Sequence, residues 1–110
     1  MSAERLDLSA HRHVHVVGIG GAGMSAIGTV LARMGHTVSG SDLKESRVTT
    51  RLRTVGIDTR IGHDAAHVGP EVDAVVVSTA IPDSNPEGAE ARRRGIPVHR
   101  RAEALRARLP

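Results

Sequence analysis

The residues best placed to do chemistry in this chain are the glycines of Gly18-Ile19-Gly20-Gly21-Ala22-Gly23 and the carboxylate of Asp42, nineteen residues beyond Gly23. A G-x-G-x-x-G loop that follows an apolar run and opens a helix leaves backbone N–H groups facing open space. They sit beside the positive end of the helix dipole, an arrangement suited to a diphosphate. Gly18 is expected to permit the tight turn, Gly20 to let a phosphate approach the backbone, and Gly23 to bring the helix close to the sheet. Ala22, Met24 and Ser25 carry the loop into the helix. Asp42 sits where an acid accepts hydrogen bonds from a ribose diol, a pattern that favours NAD over NADP. Its competing reading is a helix cap after the second strand. Ser41 and Leu43 flank it and would line a nucleoside pocket, with Leu43 covering a base.

A second group lies where the fourth predicted strand ends. Ser78-Thr79-Ala80-Ile81 would face the glycine loop, because ligands of an open parallel sheet sit beyond its carboxyl edge, where strand order reverses. Asn85 reads as a cap rather than a contact. His63, after the third strand, would either donate to a base carbonyl or phosphate or stand in a solvent-exposed turn. His11, His13 and His15 alternate along one extended segment, but no local carboxylate or cysteine joins them, so a metal site is not expected. No G-x-S-x-G nucleophile elbow and no G-x-x-x-x-G-K-[ST] phosphate loop occurs, and Lys44 is the only lysine.

Composition narrows the function classes. The 110 residues contain no cysteine, which excludes disulfides, thiolate metal ligands and a thiol nucleophile. They contain no Phe, Trp or Tyr, so bases cannot stack on aromatic rings as in most single-strand binders. The net charge of +3 gathers in Arg92-Arg93-Arg94, Arg100-Arg101, Arg106 and Arg108. A solvated helix face explains these runs better than nucleic acid does. No secretion signal or membrane-length apolar run is present, so a soluble, cytoplasmic chain without a membrane partner is expected.

The elements that position these residues alternate. Residues 1–12 read as a flexible leader. Strands are expected at 14–18, 37–40, 59–61, 73–78 and 96–98. Helices are expected at 22–34, across Val48, Leu52 and Val55, from Pro86 to Gly95, and at 102–109. Asn85-Pro86-Glu87 supplies a cap, a proline at the first helical position and an acid in the first turn. The unalternating Ala74-Val75-Val76-Val77 marks a parallel strand covered on both faces. The fold class is α/β, a Rossmann-like doubly wound sheet of five parallel strands in the order 3-2-1-4-5, with helices on both faces. The arginine-rich end reads as a cut between domains.

Taken together, His15-Val-Val-Gly-Ile-Gly-Gly-Ala-Gly-Met-Ser25, Val38-Ser-Gly-Ser-Asp-Leu43, Gly62-His63, Val76-Val-Ser-Thr-Ala-Ile81, Asn85-Pro-Glu87, Gly95-Ile-Pro-Val98 and Arg101-Ala-Glu103 resemble the Mur ligase family. The resemblance is to the branch that adds L-alanine to UDP-N-acetylmuramate in peptidoglycan synthesis. It spans residues 13–109, with Thr79 standing where a second serine is common. It implies an N-terminal domain at 13–110 that holds the UDP part of UDP-N-acetylmuramic acid. The central domain, with its ATP and Mg2+, and the C-terminal domain would lie outside this chain, which would bind without catalysing and carry no cofactor or metal of its own. By the same resemblance, the amides from Gly20 to Ser25 would take the diphosphate, and Asp42, its neighbours and His63 the uridine. Ser78, Thr79, Ala80 and Ile81 would border the diphosphate and sugar, and Arg101 would touch an anionic group. The alternative is an NAD-binding domain of a dehydrogenase or redox-sensing regulator. A ligase attaching preformed peptides to the same UDP-sugar shares the pattern, and a nucleic-acid module fits least.

Overall fold

The computed structural model describes residues 6–100. Its elements are β1 (His13–Val17), α1 (Ala22–Arg33), β2 (Thr37–Asp42), α2 (Arg47–Thr54), β3 (Asp58–Ile61), a 3-10 turn (Ala65–His67), β4 (Ala74–Val77), α3 (Pro86–Arg93) and β5 (Val98–Arg100). All strand pairs are parallel and the order is β3-β2-β1-β4-β5, as the alternating pattern predicted.

Alternation along β1 and β4 feeds two cores. Val14, Val16, Ala74 and Val76 pack with Met24 and Leu31 of α1 and Leu52 of α2. Val17, Val75 and Val77 pack on the opposite face with Ala91 of α3 and with Val68 and Val72. Each fully buried valine or leucine contributes about 1.5–3 kcal/mol, so the two central strands fix the frame that carries the loops.

Several boundaries differ from the sequence reading. The segment taken as a loose leader packs on the fold in its described part: Leu6 and Leu8 are each only 3% exposed and join the α1-side core. Their burial could not be read from an aperiodic, polar stretch. β2 runs to Asp42, because its last residue pairs with Ile61 of β3. β5 begins at Val98 rather than at residue 96, since its pairing with β4 starts at Val75–Val98. The link from β3 to β4 holds only the 3-10 turn, so strand and helix do not alternate there. The helix expected at 102–109 lies outside the described residues. Among the described residues, no helix is long and apolar enough to cross a membrane.

Candidate functional site

The turn out of β1 is built by β2. The amides of Gly18 and Ile19 both donate to the Ser41 carbonyl, at 2.8 and 3.0 Å. Gly18 adopts φ +81°, a conformation that side-chain-bearing residues rarely take, so the expected tight turn is present. The next amide departs from expectation. Gly20 N–H donates to Asp42 Oδ2 at 2.8 Å, and a Cβ on Gly20 would stand 2.7 Å from that same oxygen. The missing side chain therefore admits the Asp42 carboxylate. Gly21 N–H donates to the Gly18 carbonyl and Ser25 N–H to the Gly21 carbonyl. The cap residue Gly21 offers no side chain to the helix start. Among the described residues, the amides of Ala22, Gly23 and Met24 are thus the ones left open, at the positive end of a 12-residue helix.

Asp42 ties the edge together. Its Oδ1 accepts from Leu43 N–H at 2.7 Å while Oδ2 holds Gly20. A carboxylate has about four acceptor positions, so both oxygens retain lone pairs for a further donor. Leu43 is 67% exposed, free to lie against a planar group. Across the strand-order reversal, a Cβ at Gly18 would lie 3.2 Å from Ser78 Cβ and 3.6 Å from the Ile81 side chain, so the β4 exit does border the glycine loop. Ser78 Oγ accepts from Ala80 N–H, and Thr79 and Ala80 are exposed. Arg101 falls outside the described residues. Its neighbour Arg100 donates to the carbonyls of Ile81 (3.0 Å) and Ser78 (3.4 Å) and pairs with Asp83, bracing this exit.

The structure also contains a group that the sequence reading treated only as a helix-start acid. Glu87 is fully buried and accepts from His15 Nε2 (2.6 Å) and Ser41 Oγ (2.7 Å) on Oε1. On Oε2 it accepts from His67 Nδ1 (3.0 Å), Asp64 N–H (3.1 Å) and His63 Nδ1 (3.2 Å). Burial alone would raise its pKa, but the hydrogen bonds from His15, Ser41 and His67 outweigh that and hold it at about 2. One signal was available: His15 interrupts an apolar strand, and a polar group at such a depth needs a partner. That the partner is Glu87 depends on which face of α3 meets the sheet. His63 is accordingly not in a free turn. Its Nδ1 faces Ser41 and Glu87, and its Nε2 is buried without a partner. His13 and His15 both reach Ser39 Oγ, at 3.1 and 2.8 Å. Among the described residues, no group of His, Asp or Glu is arranged to hold a metal ion.

The family model described as "Mur ligase family, catalytic domain" matches residues 13–109. The chain belongs to the Mur ligase family. A UDP-N-acetylmuramate–L-alanine ligase of Rubrobacter xylanophilus is 62% identical over 92 residues, which cover 84% of this chain and 20% of that protein. The crystal structure of a UDP-N-acetylmuramate–alanine ligase from Thermotoga maritima superposes with a TM-score of 0.83 at 36% identity, covering 87% of this chain and 22% of its own. A UDP-N-acetylmuramate:L-alanyl-gamma-D-glutamyl-meso-diaminopimelate ligase from Neisseria meningitides gives 0.78 at 28% identity, covering 87% and 30%. The chain therefore spans about a fifth of the length of the curated relatives it matches.

In this Mur ligase domain the arginine run serves the fold. Arg93 pairs with Glu90 at 2.7 Å, and Arg92 lies 3.7 Å from Asp83. Arg94 donates to the carbonyls of Val68 and Gly69, pinning the segment that leads into β4. Guanidinium groups spent on internal acceptors are not aligned as a row for phosphates.

Proposed function

We propose that this chain is the UDP-N-acetylmuramic-acid-binding N-terminal domain of an ATP-dependent ligase that joins L-alanine to that sugar nucleotide. It binds and does not by itself catalyse. The observation that carries the reading is the open amide row of Ala22, Gly23 and Met24, which follows a glycine loop whose first residue, Gly18, borders Ser78 and Ile81. An anion at that helix start gains from aligned N–H groups and from the dipole. The 62% identity to an L-alanine ligase favours the sugar nucleotide over a nicotinamide.

In this reading the diphosphate lies on the amides of Ala22–Met24. The Asp42 lone pairs not used by Gly20 and Leu43 take hydroxyl donors of the ribose, and Leu43 covers the base. ATP and Mg2+ belong to the other domains of the whole protein. This chain has no Walker-type loop and only one lysine, so its residues do not fit them. The place of action in this reading is the cytoplasm.

The test is an amide-NMR titration of this chain with UDP-N-acetylmuramic acid, UDP and NADH in parallel. Saturable shifts at Ala22–Met24 and around Asp42 with the two uridine ligands are expected, at a Kd of roughly tens of micromolar to millimolar. Shifts with NADH alone would overturn the reading in favour of a nicotinamide site.

A further inference from the structure

The Glu87 network does more than fill space, because the direction of each hydrogen bond can be assigned. A charged carboxylate only accepts. Ser41 gives its single hydroxyl hydrogen to Glu87 Oε1, so the Ser41 Oγ turned toward His63 offers only lone pairs. Glu87 Oε2, the other neighbour of His63 Nδ1, likewise offers only lone pairs. Two acceptors at 3.0 and 3.2 Å therefore converge on one imidazole nitrogen, which must carry the hydrogen. In the neutral ring this leaves Nε2 bare.

We propose that Glu87 is a positioning residue: its buried carboxylate fixes His63 as the Nδ1–H tautomer and locks Ser41, and with it the edge of β2 that shapes the glycine loop. The coupling is short. Ser41 gives its side chain to Glu87 and its carbonyl to the amides of Gly18 and Ile19. The same carboxylate reaches β1 through His15 and the 3-10 turn through His67 and Asp64. One side chain of α3 thereby ties together the middle of β1, the carboxyl end of β2 and the segment that follows β3. Replacing one oxygen by an amide NH2, as in Glu87→Gln, sets a donor against donors and forces the set to choose new partners.

The tautomer assignment stands on hydrogen-bond geometry alone, whereas its effect on ligand rests on the proposed function. Long-range 1H–15N spectra of the imidazoles, recorded on this chain and on Glu87→Gln, separate the two. The expected result is a protonated Nδ1 on His63 in the unsubstituted chain, and loss of that pattern in Glu87→Gln. UDP affinity should fall about tenfold in the variant. A protonated Nε2 with a bare Nδ1 in the unsubstituted chain overturns the proposal without any variant being made. So does a folded Glu87→Gln chain that keeps the Nδ1–H pattern. A third spectrum, of Ser41→Ala, should retain that pattern because the direct contact to Glu87 remains; its loss would assign the control to Ser41 instead. Absence of UDP binding with the tautomer as expected would count against the ligand reading and leave the positioning role intact.

Discussion

Gly20 and Asp42 are fitted to one another. The backbone nitrogen of Gly20 lies 2.8 Å from Asp42 Oδ2, and a Cβ on Gly20 would stand 2.7 Å from the same atom. The second glycine of the loop is thus matched to the acid at the end of β2, and the two positions cannot vary independently.

Gly20→Ala forces the carboxylate aside and breaks this bond; Asp42→Ala removes the same bond from the other end. Each variant should lose about 1–2 kcal/mol of stability. In an Asp42→Ala background the added methyl meets no oxygen, so the double variant should cost much less than the sum of the two singles. Urea unfolding of the four proteins reads the coupling, and strict additivity would show that the contact is not energetic.

Glu87 gives the fold an acid limit. Its pKa is held at about 2 in the folded chain, below the ordinary 4.5. A depressed carboxylate stabilises the fold fully above its unfolded value, and that contribution is lost as pH falls through the folded value. The window is therefore about pH 4.5 down to 2, with on the order of 2–3 kcal/mol at stake. Stability measured from pH 6 to 2.5 should fall steeply for this chain and more gently for Glu87→Gln, which starts lower. Parallel curves for the two proteins would place the acid sensitivity elsewhere. Glu45, also held at about 2 but on the surface, where it accepts from Thr49, Thr50 and Arg53, serves as the comparison.

Arg100 holds the β4 exit by donating to the Ile81 and Ser78 carbonyls and pairing with Asp83. Arg100→Met keeps much of the apolar stem but removes every donor. Amide exchange from residue 80 to residue 84 should accelerate about tenfold, while exchange in β1 stays unchanged. UDP-N-acetylmuramic acid should bind more weakly to this variant. An unaltered exchange rate would mean the loop is held by its own turn, in which Ile81 N–H donates to the Ser78 carbonyl.

Much of the architecture was legible in the chain because local rules and global fold agree. The unalternating run Ala74-Val75-Val76-Val77 has no polar face, so it had to be a parallel strand covered on both faces, and Val14, Val16 and Val17 around His15 mark a second apolar strand. Asn85-Pro86-Glu87 starts a helix by capping, and Asn85 Oδ1 does accept from the amides of Glu87 and Gly88. The loop glycines announced a turn, and Gly18 makes it. What the sequence determined by itself was therefore the main strands and helices of the described residues and the order of the strands in the sheet. These follow from periodicity, capping and the right-handed crossover, all of which act over a few residues or a single unit.

Tertiary structure decided the partners. Nothing within a few residues of Asp42 says that one of its oxygens serves Gly20, twenty-two residues earlier. Nothing near Glu87 points to His15, seventy-two residues away, or to two further histidines beyond β3. Leu6 and Leu8 joined the core although their surroundings in sequence are polar. In each case the physical reason is the same. A side chain's hydrogen-bond and packing partners depend on which faces meet after the sheet has closed, and that information lies in the distance between elements rather than in the spacing within them.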